Sequence, residues 1–180
     1  METSEKIVEA YVRYVKGWAT IPNIRCGGQK EVDLLAIDPK SGERYHIESG
    51  VSVSGTYSKL TDRPFNLKKL RTRTRQAEQR RTVGYFVDTK FEADAVRTEL
   101  RRYGFHGRNY RRVIVSWGWT EEAGRSAARH RIELWDMRHM LAELTSTFGG
   151  KRTHFMDDTL RTMQLYHMSQ HGGAKKEQRE

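Results

Sequence analysis

Apolar residues Val8, Tyr11, Val12 and Val15 recur at i, i+3, i+4 and i+7. That spacing predicts an amphipathic helix over residues 4–18, with Ser4 as its cap, Trp18 extending the stripe and Gly17 opening its end. The period then changes. IPNIRCGGQK reads as a strand or a loop broken by Gly27 and Gly28, and EVDLLAID and RYHIESGVSVS read as two strands around a DPKSGE turn. In the second of these, Tyr45 and Ile47 share one face while His46 and Glu48 share the other. Further along, Leu67, Leu70, Thr74 and Ala77 place a helix in the second half of the segment 59–81. VGYFVDT predicts a strand, EADAVRTELRRYG a helix, RRVIVSWGW a strand, residues 121–129 a helix, HRIELWD a strand and MRHMLAELTSTF a helix. After a GGKRTH connector, DDTLRTMQLYHMSQH predicts a last helix capped by Asp157, and GGAKKEQRE is a polar tail. The β-α-β alternation predicts an α/β fold with a mixed central sheet flanked by helices and a C-terminal helical extension. We divide the chain into a domain over 1–148 and a C-terminal helix and tail over 149–180.

Composition narrows the class. The 180 residues are 36% hydrophobic and 31% charged, enough for one domain with a real core. Cys26 is the one cysteine, which excludes an intramolecular disulfide framework and a Cys-rich zinc site. Without a partnered histidine, it is also a poor nucleophile. No apolar run reaches the ~18 residues of a membrane span, and the N-terminus lacks an apolar signal core, so a cytoplasmic, intracellular protein without a membrane partner is expected. The net charge of +10 favours an anionic partner, nucleic acid (DNA or RNA) first and an acidic membrane surface second. Nine basic residues in 59–81 (Lys59, Arg63, Lys68, Lys69, Arg71, Arg73, Arg75, Arg80 and Arg81) stand against Asp62 and Glu78, so this block holds +7 of the excess. A charge run is often only a solvated face, but this one would neutralise several phosphates. Trp117 and Trp119, by alternation, would share a face; core packing outweighs base stacking for them. His167 and His171, at i, i+4, fit surface positions better than a metal pair.

Two carboxylates carry candidate chemistry. Asp33 lies in one predicted strand and Glu48 ends its neighbour, an arrangement that brings distant acids to one sheet edge. Such acids, with a strand carbonyl, can hold a hard divalent ion that activates water for phosphodiester hydrolysis. Glu5 in the opening helix, then GQKEVD, then HIES, resembles the PD-(D/E)XK restriction endonuclease-like superfamily, in particular its small resolvase-like branch. The likeness covers about residues 4–148. It implies a restriction endonuclease-like core and a metal-dependent DNA nuclease using Mg²⁺ or Mn²⁺. Asp33 and Glu48 would be metal ligands, the Ser49 carbonyl a third, and Glu5 would complete the catalytic set; read from the residues alone, Glu5 serves the helix N-terminus equally well, where an acid is favourable. Gln29 or Glu31 would assist. A homodimer or a place in a larger complex is compatible with it. The departure is Gly50, where the family pattern has lysine. Lys30, Lys59, Lys68 and Lys69 are the amines considered in its place, with Lys68 or Lys69 favoured as helix-borne side chains. A nuclease-fold module that binds nucleic acid or a protein without cutting is the alternative function.

Overall fold

The computed structural model describes residues 2–51, 59–70, 76–149 and 155–171. The predicted positions Arg71, Arg73 and Arg75, Thr74 in the stripe, and the end of the predicted strand through 52–54 lie outside the described residues.

Helix α1 (Thr3–Tyr14) opens the fold. Its cap is not Ser4: Glu2 occupies the N-cap in a reciprocal capping box with Glu5. Strands β1 (Ala19–Cys26), β2 (Lys30–Ile37) and β3 (Arg44–Ser49) form an antiparallel meander. The uncertain IPNIRC segment is thus a strand, and Gly28, at φ 67, turns the chain into β2. Short helical turns α2 (Leu67–Leu70) and α3 (Gln76–Gln79) follow, with Leu67 53% exposed rather than part of a buried stripe. Next come α4 (Val83–Tyr85), a π-helical turn (Phe86–Phe91) and α5 (Asp94–Arg102). Then β4 (Arg111–Ser116), α6 (Glu121–Arg129), β5 (Ile132–Asp136), α7 (Met137–Gly149) and α8 (Asp158–His171) complete the chain. Asp157 Oδ1 accepts the N–H groups of Thr159 and Leu160, the expected N-cap of α8.

The five strands lie in the order β1-β2-β3-β4-β5, with β3–β4 and β4–β5 parallel. This is the mixed α/β sheet the hydropathy pattern predicts. Each face is covered, so residues 32–36 of β2 (VDLLA) are all buried, with Asp33 the one charged side chain among four apolar ones. On one face Val8, Tyr11 and Val12 of α1 and Met137 and Met140 of α7 pack on Leu34, Ala36, Ile47, Val113 and Val115. On the other, Val96, Leu100 and Phe105 meet Val32 and Leu35, while Val83, Phe86 and Phe91 meet Ile114 and the α6 alanines. Helix α8 docks through Leu160 and the preceding Phe155 onto Ala10, Leu144 and Phe148. Trp117 and Trp119 do not share a face: Trp117 packs with the α1–α7 cluster and Trp119 with the α4–α6 cluster.

The largest difference from the predicted elements is residues 83–88. Val83, Tyr85 and Val87 alternate like a strand. The segment is helical instead, because Thr82 Oγ1 caps it by accepting the Tyr85 N–H, and Val83 and Phe86, three apart, are both buried. The turn then widens: Glu92 N–H reaches the Val87 carbonyl five residues back at 2.8 Å. Among the described residues no helix is long and apolar enough to cross a membrane.

Candidate functional site

Antiparallel pairing sets Leu34 opposite Ile47, so one residue further Asp33 lies across from Glu48. Strand alternation points Ile47 at the α1–α7 core and His46 and Glu48 at the opposite face, as the sequence predicts. Here the two acids meet an amine that no sequence spacing indicates. Lys90, from the π-helical turn, places Nζ 2.9 Å from Asp33 Oδ1 and 2.6 Å from Glu48 Oε2. It also donates to the Glu31 carbonyl at 3.2 Å, so its three N–H directions face three acceptors. Asp33 Oδ2 accepts the Ser49 N–H at 2.7 Å. Behind Glu48 stands His46, wholly buried, with Nε2 2.7 Å from Glu48 Oε1 and its ring edge-on to Phe91.

Burial orders these groups. Side-chain exposure is 18% for Lys90, 10% for Asp33 and 0% for Glu48 and His46. Solvent therefore meets Lys90 and Asp33, while Glu48 acts on them from inside. Burial pushes the Asp33 carboxyl up, and the Glu48 charge adds to it; Lys90 and the Ser49 N–H oppose them, and the balance lies at about 7. Burial likewise raises Glu48, against the pull of Lys90. For Lys90 burial works downward, but two carboxylates at contact distance outweigh it and hold the ammonium charged beyond its usual range. Burial holds His46 neutral, with its pKa lowered to about 3. The neutral imidazole meets Glu48 through Nε2, and its Nδ1 is buried without a partner among the described residues.

A prediction follows from that neutrality. In the unfolded chain His46 takes up a proton below about pH 6.5, whereas in the fold it resists down to about 3, so its contribution to stability is lost as pH falls through this window. His46→Gln is expected to remove this loss. The stability advantage of the wild type over the variant should narrow by roughly 1 kcal/mol per pH unit below 6.5. Urea melts of both chains at stepped pH measure it; parallel pH profiles would contradict a neutral buried His46.

The glycine at the expected lysine position has a steric cause. A Cβ added at Gly50 would lie 2.5 Å from Cζ of Phe86, which is 2% exposed. The Gly50 N–H bonds the Val115 carbonyl at 2.8 Å, fixing that backbone. The same helical segment thus fills the space beside residue 50 with Phe86 and returns an amine through Lys90.

The remaining predicted site residues are placed as follows. Lys68 and Lys69 are exposed, their backbone N–H groups held by the Asn66 side chain, and the amine that bridges both acids is that of Lys90 instead. Lys30 donates to the Thr89 carbonyl. Glu5 is drawn into the cap of α1 by the Glu2 N–H at 2.9 Å; burial raises its pKa, and Asp33 adds a smaller push. Ser49 reaches Asp33 through its N–H. Of the basic block, Lys59, Lys68, Lys69 and Arg80 are exposed, and Arg63 pairs with Glu78. That block is anchored near the acids' end of the sheet: Leu60 pairs with Trp119, just past β4, and Ser49 pairs with Val115. Phe65 meets Tyr85 edge-on at 5.8 Å, tying it to the helix that carries Lys90.

The expected Mg²⁺ or Mn²⁺ does not survive this geometry. Among the described residues no group of three or more His, Cys, Asp or Glu side chains is placed to hold a metal ion. The physical reason is local: Lys90 takes an oxygen of each acid, Glu5 is spent in its cap and His46 is turned onto Glu48. Compared with protein-family models, with curated proteins and with solved structures, the chain finds no match in any of the three.

Proposed function

We propose that this chain is a restriction endonuclease-like protein that cleaves phosphodiester bonds of DNA at an Asp33–Glu48–Lys90 centre. The observation that carries the reading is the Lys90 ammonium seated on both acids. It supplies, from another element, the amine missing at Gly50. Supporting it are the order α1-β1-β2-β3 followed by several helical elements and parallel β4, and the basic block anchored at the acids' end of the sheet. The residues divide the work by position. Lys90 is the charge against which a phosphoryl oxygen rests, replacing its weakest contact, the Glu31 carbonyl, and stabilising charge that develops on the phosphate. Asp33, poised at about 7, takes the proton of the attacking water as its oxygen bonds to phosphorus; the P–O bond to the departing sugar oxygen breaks, and that oxygen takes a proton from solvent. Glu48 and His46 are positioning residues that hold Lys90 in place.

The test is cleavage of supercoiled, linear and branched DNA by the full chain, with and without added divalent cation. Cutting is expected to rise with pH through about 7, as Asp33 ionises, and to stay level above it, because Lys90 remains charged. Asp33→Asn is expected to lower the rate by about 100-fold or more and to erase that rise. Absence of cutting on every substrate, or a rate unchanged in Asp33→Asn, would remove the enzyme.

One observation favours a second reading. All three directions of the Lys90 ammonium are engaged within the protein. A centre closed in this way suits a module that binds nucleic acid through its basic block without cutting. That reading predicts salt-sensitive DNA binding that Asp33→Asn leaves intact, with no cleavage by either chain.

A further inference from the structure

The positive charge of this chain is not confined to residues 59–81. At the entering ends of β4 and β5 lies a cleft of about 540 Å³, a size suited to a small ligand. Arg108, Arg111, Arg112, Arg131, His130 and Tyr110 line it. Two of the four guanidiniums are neutralised: Arg111 by Glu43 and Glu133, and Arg112 by Glu92 at 2.6 Å. Arg108 and Arg131 are exposed, and their side chains make no ion pair or hydrogen bond among the described residues. Uncompensated guanidiniums gathered at one concavity repel each other, and an oxyanion relieves that repulsion while using their paired donors. Arg131 also holds a left-handed backbone, φ 56, where glycine or asparagine costs less. A smaller cleft lined by Arg97, Arg101, His106 and Glu92 shares Gly107, Tyr110 and Arg112 with the first; Glu92 pairs there with Arg97 and Arg112.

We propose that this cleft is a second anion site, taking the phosphate of a phosphate ester between Arg108 and Arg131. The ester is a backbone phosphate of a polynucleotide or the phosphate of a free nucleotide; both offer the same oxyanion to the guanidinium forks, with the Tyr110 ring at the cleft wall. The site is separate from the carboxylate centre. Arg111 pairs with Tyr45 and Ile114 with Glu48, which sets the two about three residues, or roughly 10 Å, apart along the strands. It stands whether or not the carboxylate centre cuts DNA.

The experiment is binding to the full chain at low salt, measured by calorimetry with inorganic phosphate, adenosine monophosphate and a 12-nucleotide single strand without terminal phosphates. Arg108→Gln/Arg131→Gln is compared with the wild type and with Arg25→Gln/Lys40→Gln, which removes two exposed charges elsewhere. Both changes in the cleft are at exposed positions, and a melting curve checks that the fold is kept. The expected result is a loss of about 10-fold or more in affinity for at least one probe in the cleft variant, with the control variant within about 2-fold of wild type. Loss for the monophosphate assigns the cleft to a nucleotide; loss for the strand alone assigns it to a backbone phosphate and lowers the salt slope by one to two phosphates. Unchanged affinity for all three probes, or an equal loss in the control variant, overturns the site.

Discussion

Lys90→Met is expected to lower the proposed DNA cleavage by about 100-fold or more, while Lys68→Met and Lys69→Met lower it by less than about 10-fold. The difference follows from where the amines sit. Lys68 and Lys69 are exposed, so their loss weakens phosphate attraction in a way that salt also abolishes. Lys90 is the partner of two acids that are 10% and 0% exposed at the side chain. Removing its charge leaves Asp33 and Glu48 facing each other without a cation. They respond by holding protons, which takes the base away from water at neutral pH. Breaking a buried ion pair at one partner also costs roughly 3–5 kcal/mol of stability, so the melt should shift with the rate. Lys90→Arg separates the two effects: it keeps the charge and much of the stability, but a planar guanidinium cannot reproduce an ammonium aimed at three acceptors, and cleavage should still fall. Single-turnover cleavage and thermal melts of the four variants decide the matter. Wild-type cutting by a folded Lys90→Met chain would take Lys90 out of the site.

Sequence patterning carries far along this chain, and its failure at Lys90 has a definite cause. Asp33, Glu48 and their strands are legible because each lies in a run that reads as a strand: in β2 the apolar residues Val32, Leu34, Leu35 and Ala36 surround Asp33, and β3 alternates. The helices after β4 are legible for the same reason, down to the Asp157 cap. Residues 83–91 mislead because VGYFVDT satisfies both periods, with Val83, Tyr85 and Val87 alternating and Val83, Phe86 and Phe91 packing as a helix does. Thr82 was the available signal, a capping residue directly before the run. Even with the helix assigned, nothing local ties Lys90 to Asp33, 57 residues earlier. Only the packing of the turn over β2 and β3 joins them. The metal expectation failed at the same point, since the lysine occupies the acids that were to be ligands.

Gly50 tests that arrangement from the other side. Placing lysine at residue 50 would match the family pattern in sequence, yet Gly50→Lys is expected to destabilise the chain and not to rescue cleavage in Lys90→Met. The obstacle is the Phe86 ring, 2.5 Å from where the new Cβ would lie. The glycine's φ is outside the left-handed region, so the cost is steric rather than conformational. Phe86 cannot swing away easily: it is buried among Leu60, Val83 and Ile114, and it begins the π-helical turn that carries Lys90. Gly50→Ala should therefore cost about 1–3 kcal/mol, the usual penalty of overpacking, and Gly50→Lys at least as much. Any shift of Phe86 also moves Lys90, so Gly50→Ala should lower the proposed cleavage rate by way of Lys90. Phe86→Leu gives the control. It opens space beside residue 50, and in that background Gly50→Ala should cost at least about 1 kcal/mol less, a coupling that double-mutant melts resolve. If Gly50→Ala melts and cuts like the wild type, the Phe86 ring does not hold that space, and the glycine needs another explanation. If the two changes couple, Gly50, Phe86 and Lys90 form one device: a glycine that admits a ring, on a helical turn that brings the amine.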